Sequence, residues 1–125
     1  MEKYGIRLIA YGTEEYPEKL KYIFNPPALL YVKGSLPPEE HLVIAMVGSR
    51  KCTEYGKKVA RELAAELAKN DCVIISGLAR GIDAASHEGA LQGGGPTVAV
   101  LGCGVDKIYP RENRSLYQQI LEQGA

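Results

Sequence analysis

From Leu42 onward, short apolar runs rich in β-branched residues alternate with longer helical patterns. The runs are Leu42 to Val47, Cys72 to Ile75 and Thr97 to Leu101, and helical stretches at about Thr53 to Lys69 and Ile82 to Gln92 separate them. Strands joined through helices cannot close as hairpins, so they must lie parallel. The expected class is therefore α/β, with a doubly wound, mainly parallel sheet. Three core strands make a thin sheet. The last helical segment, Arg111 to Gln123, reaches Gly124-Ala125, where a turn into another strand is expected, so the sheet is expected to be incomplete at that point.

The first helix has the clearest pattern. Val59, Leu63 and Leu67 with Ala60 and Ala64 form an apolar face, opposite Lys57, Lys58, Arg61, Glu62, Glu66 and Lys69. Thr53 is placed to cap its start, and Asn70 to take the left-handed conformation at its end. In the final helix, Leu116, Ile120 and Leu121 are the expected packing positions. Ahead of the alternating part, Gly5 to Tyr11 is a weak strand candidate. Tyr16-Pro17 opens a short helix with Leu20, Ile23 and Phe24 on one face, Asn25-Pro26-Pro27 stops it, and Ala28 to Val32 fits a second strand. The expected division is an N-terminal extension over 1–40, packed on a core domain over 41–125.

Bulk properties exclude several classes. A chain of 125 residues supports one real core. Its 15 Lys plus Arg balance 15 Asp plus Glu, so any polyanion site must be a local patch. Cys52, Cys72 and Cys103 are widely spaced and lack a Cys-x-x-Cys pair, which fits reduced thiols in cytosol and no structural metal. Absence of a long apolar run and of a signal-type core makes a soluble cytoplasmic protein with no membrane partner the expectation.

In a parallel sheet all strands deliver their C-terminal ends to one edge, where ligands bind. Three special turns are expected there. The first is Gly48-Ser49-Arg50; the second is Ser76-Gly77-Leu78-Ala79-Arg80-Gly81-Ile82-Asp83; the third is Gly102-Cys103-Gly104-Val105-Asp106, running on to Tyr109-Pro110. Each starts with a small residue after an apolar run, which lets a ligand approach the backbone. N–H groups at a helix N-terminus have no intrahelical partner and sit at the positive end of the helix dipole, so such turns suit phosphate. Ser49, Arg50, Ser76 and Arg80 add donors, and the Arg50 guanidinium offers a planar fork to phosphate or a stacking surface to a base. The alternative for Arg50 is a surface ion pair with Glu54.

Spacing removes the commonest nucleotide fingerprints. No Gly-x-x-x-x-Gly-Lys-Ser/Thr follows the first strand, and no Gly-x-Gly-x-x-Gly opens the first helix. Gly93-Gly94-Gly95 is a helix stop rather than a phosphate cradle. Ser49 and Ser76 lack the Gly-x-Ser-x-Gly elbow of a nucleophile. Asp83 and His87, four apart, are expected as a capping carboxylate and an orienting imidazole in preference to an acid/base pair.

At these turns, and over nearly its whole length, the sequence resembles the DNA-processing protein A family, also called DprA or Smf. The matching pieces are Tyr16-Pro17 to Leu20, Pro27 to Gly34, Gly48-Ser49-Arg50 with Tyr55-Gly56, Ser76 to Asp83, His87 with Gly89-Ala90-Leu91, Thr97 to Gly104, and Tyr109-Pro110. The resemblance implies an extended Rossmann-like fold that binds single-stranded DNA without known catalysis, dimerises, and helps load the RecA recombinase during natural transformation. It implies DNA phosphate contacts from Gly48, Ser49 and Arg50, with the Gly77 and Gly102 turns shaping the same pocket; Ser76, Arg80 and Gly104 of those turns complete the expected nucleic-acid-binding set. No catalytic residue, cofactor or metal is expected. Lys51, Lys57, Arg80, Lys107, Arg111 and Arg114 are placed to extend a basic path, no more than half of them touching a strand. Family members usually continue beyond the point matching Gly124-Ala125, and Asn70-Asp71 stands where a glycine is usual.

Two other functions compete. Nucleotide- or phosphoribosyl-binding enzymes of the lysine-decarboxylase-like phosphoribohydrolase type use similar Gly-Ser turns on Rossmann-like folds. They need a Pro-Gly-Gly-x-Gly-Thr stretch followed by glutamate, which Gly94-Gly95-Pro96-Thr97 does not supply. The third function is a scaffold that makes protein contacts only.

Overall fold

Three parallel strands, β3 (Leu42–Ala45), β4 (Cys72–Ser76) and β5 (Thr97–Ala99), lie side by side in that order. They belong to a computed structural model that describes residues 5–37, 41–101 and 113–125. Val43 stands opposite Val73, Ile44 opposite Ile74, and Ile75 opposite Val98. Side chains alternate across a strand, so the two faces of this sheet have different neighbours. Ile74, fully buried, packs with Ala64, Ala68 and Ala90 of the helices, joined by Ile44 and Met46. Val43, Ile75 and Val98 point the other way, into an apolar cleft of about 1410 Å³ that the N-terminal residues line from its far side.

Those N-terminal residues form a two-stranded antiparallel sheet, β1 (Ile6–Ala10) with β2 (Leu29–Lys33). Ile9, Tyr16 and Val32 are its buried centre, and the Tyr16 hydroxyl donates to the Pro27 carbonyl at 2.7 Å. Pro17 stands just ahead of a 3-10 helix over Glu18–Tyr22. The apolar face expected there does not form. Leu20 joins the cluster, but Ile23 is half-exposed and Phe24 is 93% exposed. The 3-10 helix ends at Tyr22, so Ile23, already extended, and Phe24 lie beyond it, and Asn25 turns left-handed at φ 54° before the two prolines.

Helices α1 (Glu54–Lys69), α2 (Ile82–Gln92) and α3 (Arg114–Gln123) follow β3, β4 and β5, and α2 packs against both of the others. Thr53 caps α1 as expected, its hydroxyl oxygen accepting the Gly56 N–H at 3.0 Å. The buried seam of α1 is Ala60, Ala64 and Ala68, while Val59 and Leu63 remain 42% and 51% exposed. Ala60 and Ala64 are thus buried as expected, Leu67 packs against the same cluster and Ala68 joins them; only Val59 and Leu63 depart from the expected face, and α2 supplies the reason. A Cβ on Gly89 would overlap the Arg61 carbonyl, and one on Gly93 would sit 2.5 Å from the Ala65 carbonyl. The two helices approach backbone to backbone, which only small residues allow.

The turns after the helices differ from one another. After α1 it is Asp71, at φ 63°, that turns left-handed; Asn70 stays at φ −103° and its side chain donates to the Glu66 carbonyl at 2.8 Å. After α2, Gly94 turns left-handed, with Gly94 N–H on the Leu91 carbonyl and Gly95 N–H on the Ala90 carbonyl, the helix stop expected of the triple glycine. On α3, Leu116 and Ile120 are buried as expected and Tyr117 joins them. Beyond it, Ala125 donates to the Thr97 carbonyl and accepts from Ala99 N–H at 2.8 Å, lying parallel along the free side of β5. No helix among the described residues is long and apolar enough to cross a membrane.

Candidate nucleic-acid interface

The turns after β3 and β4 touch each other. Gly81 adopts φ 79° and ψ −124°, a region that side chains exclude, and a Cβ there would sit 2.5 Å from the Ser49 carbonyl and 2.7 Å from that of Arg50. One residue on, the Ile82 N–H donates to the Ser49 carbonyl at 3.3 Å. The Ile82 side chain then fills the space under the first turn. A Cβ on Gly48 would be 2.7 Å from it, and a Cβ on Gly56, in the first turn of α1, would lie 3.6 Å from its Cδ1. Ile82 is thus a wedge that sets the first turn, the start of α1 and the start of α2 against one another. Neither Gly81 nor Ile82 belonged to the predicted set, because two turns about thirty residues apart give no sequence signal that they touch.

The predicted residues separate by what already occupies them. The Ser76 hydroxyl donates to the Met46 carbonyl at 2.6 Å, tying β4 to the residue after β3. The Gly77 N–H donates to Asp83 Oδ2 at 3.1 Å, so a buried carboxylate of the protein stands at that amide. Ser49 closes on its own turn: its hydroxyl donates to the Lys51 carbonyl at 2.9 Å and accepts the Lys51 N–H at 3.1 Å. Gly48 and Arg50 are exposed, as is Arg80. Arg50 forms no ion pair among the described residues; Glu54, its alternative partner, lies 3.6 Å from Lys57 instead. The Glu54 and Tyr55 N–H groups belong to the first turn of α1, where no intrahelical acceptor exists. Gly102 and Gly104 lie outside the described residues, as do Lys107 and Arg111.

Behind the second turn the packing is fixed from the inside. Leu78 is left-handed at φ 59° yet 1% exposed, and the Asn113 side chain donates to its carbonyl at 3.1 Å. His87 is buried with Nδ1 2.8 Å from Thr97 Oγ1. The Thr97 hydroxyl spends its one proton on the Ile74 carbonyl at 2.7 Å, so the imidazole must be the donor and Nδ1 carries its hydrogen. Nε2 is buried without a partner among the described residues. Burial holds the His87 pKa down to about 4, against the opposing pull of the Asp83 charge. Asp83 and His87 therefore face different groups, but Asp83 is not the expected cap: no side chain caps α2, and the carboxylate takes the Gly77 N–H of the preceding turn instead. Among the described residues no three His, Cys, Asp or Glu gather as a metal site, and Cys52 and Cys72 are free.

The model of one protein family, DNA recombination-mediator protein A, matches residues 7–125. The chain belongs to that family. Protein Smf of Borreliella burgdorferi is 44% identical over 113 residues, covering 90% of this chain and 36% of its own length. DNA processing protein DprA of Streptococcus pneumoniae is 45% identical over 105 residues, covering 84% of this chain and 37% of its own. The chain thus spans little more than a third of the length of these relatives. The crystal structure of the Streptococcus pneumoniae protein superposes with a TM-score of 0.80 at 38% identity, covering 95% of this chain and 42% of that one. The structure of DNA processing protein A from Helicobacter pylori, described for its single-stranded-DNA binding mode, superposes at 0.78 with 34% identity, covering 95% and 52%. The fold of this family member is therefore α/β and Rossmann-like, as expected.

Proposed function

We propose that this chain binds single-stranded DNA by holding strand phosphate at Gly48, Ser49 and Arg50, without catalysis, and that it assists loading of a RecA-type recombinase in the cytoplasm. The observation that carries the reading is Arg50, exposed and without an ion pair among the described residues, on a turn that leads into α1 and whose backbone is braced by Gly81 and Ile82. Main-chain N–H groups and a guanidinium recognise phosphate whatever the base, which suits a protein that must accept any sequence. Ser76 and Gly77, with their polar groups turned inward, contribute to this site through shape; Arg80, with Gly102 and Gly104 from outside the described residues, belongs to the same proposed set. A homodimer and the recombinase contact belong to the same reading, as does the division of the chain into an extension over 1–40 and a core over 41–125. Its support is membership of the family together with the Helicobacter pylori relative's single-stranded-DNA binding mode.

A competition gel-shift tests it. Single-stranded oligonucleotide is expected to be retained, and unlabelled duplex of equal length to compete poorly. Equal or better competition by duplex contradicts the reading. Release of free base from nucleoside monophosphates would replace it with the phosphoribohydrolase function.

A further inference from the structure

Contact with phosphate does not by itself distinguish an unpaired strand from a duplex, since both present the same backbone. A ring beside the phosphate does, because only an unpaired base is free to lie on it. Tyr55 is the exposed aromatic at the start of α1, the helix that the first turn leads into. It occupies the first turn of α1, is 72% exposed, and has no hydrogen-bond or ring partner among the described residues. Its neighbour Gly56 donates its N–H to Thr53 Oγ1, and a Cβ there would touch Ile82 Cδ1, the same side chain that supports Gly48. The ring is thus carried by a part of the helix that is fixed to the phosphate turn. Val59 and Leu63 follow at four-residue spacing, 42% and 51% exposed, so an uncovered apolar strip leads away from the turn along α1.

We propose that Tyr55 is the stacking platform for a base next to the phosphate held at Gly48–Arg50, and that its ring sets the preference for unpaired DNA. The proposal rests on the single-stranded-DNA reading above. An exposed tyrosine with no partner adds little to folding, so its replacement leaves the site standing and isolates the stacking role. The chain contains no tryptophan, so Tyr55→Trp places a single indole at this position.

The experiment titrates the parent, Tyr55→Leu, Tyr55→Phe and Tyr55→Trp with oligothymidylate and with an abasic strand of equal phosphate number. Tyr55→Leu is expected to lose roughly tenfold in affinity for oligothymidylate and nothing for the abasic strand. Tyr55→Phe keeps the parent affinity, and the indole of Tyr55→Trp is quenched by oligothymidylate alone. Parent-like binding by Tyr55→Leu with an unquenched indole overturns the stacking role and leaves the single-stranded-DNA reading intact. An equal loss on both strands overturns it as well, since it marks a purely positional residue. A parent that binds neither strand removes both the reading and the proposal.

Discussion

His87 shows how a single buried residue ties the sheet edge to pH. Its neutral ring donates to Thr97, and Thr97 in turn donates to Ile74, so one side-chain chain links α2, β5 and β4. The unfolded chain takes up a proton on this imidazole near its ordinary value of 6.5, whereas the folded chain does so only at about 4. The contribution to stability is therefore complete above 6.5 and is lost as the pH falls through that window. Urea unfolding at pH 7 and pH 5 is expected to show a loss of about 2 kcal/mol from this group, and His87→Gln to flatten that part of the profile. An unchanged profile in the variant would show that His87 is not the group responsible. The sequence places His87 four residues from Asp83 and supports a positional role, but it does not reveal Thr97. A threonine at the start of an apolar run carries no sign that its hydroxyl will meet an imidazole. The same holds for Gly81: the sequence marks it as a turn glycine, and only the structure shows the Ser49 and Arg50 carbonyls filling the place of its side chain.

At the scale of elements, hydrophobic periodicity located α1 and α2 closely, and the Thr53 cap and the triple-glycine stop were readable from local chemistry alone. The face of α1 was legible only in part: Ala60, Ala64 and Leu67 pack as expected, whereas Val59 and Leu63 stay exposed. Large residues dominate any amphipathic pattern, so Val59 and Leu63 pointed the reading toward themselves, whereas the partner helix selects by closeness of approach. Gly89 and Gly93 admit the α1 backbone, and only Ala60, Ala64 and Ala68 fit between. Ala64→Leu is accordingly expected to destabilise the fold by about 1–3 kcal/mol through overpacking, while Leu63→Lys stays within about 0.5 kcal/mol. Chemical denaturation of the two variants decides. The reverse ranking would return the packing face to Val59 and Leu63.

For the molecule as a whole, strands alternating with helices were enough to fix a parallel α/β sheet, and the order β3-β4-β5 with two intervening helices is its direct consequence. The convergence of strand ends at one edge was likewise readable. The contact between the turns there was not, because it depends on Ile82 filling the space that Gly48 and Gly56 leave open. That contact underlies the proposed function: it braces the turn that carries Arg50 and leads into α1, the place proposed for strand phosphate. The most direct test measures affinity for a labelled single-stranded oligonucleotide across a salt series, with Arg50→Ala beside the parent. Parent affinity is expected to fall linearly on a log–log plot. Arg50→Ala is expected to bind roughly tenfold more weakly at low salt, with a slope shallower by about 0.7, the signature of one lost phosphate contact on a single strand. Equal affinities and equal slopes for the two proteins would contradict the assignment of the phosphate to this turn.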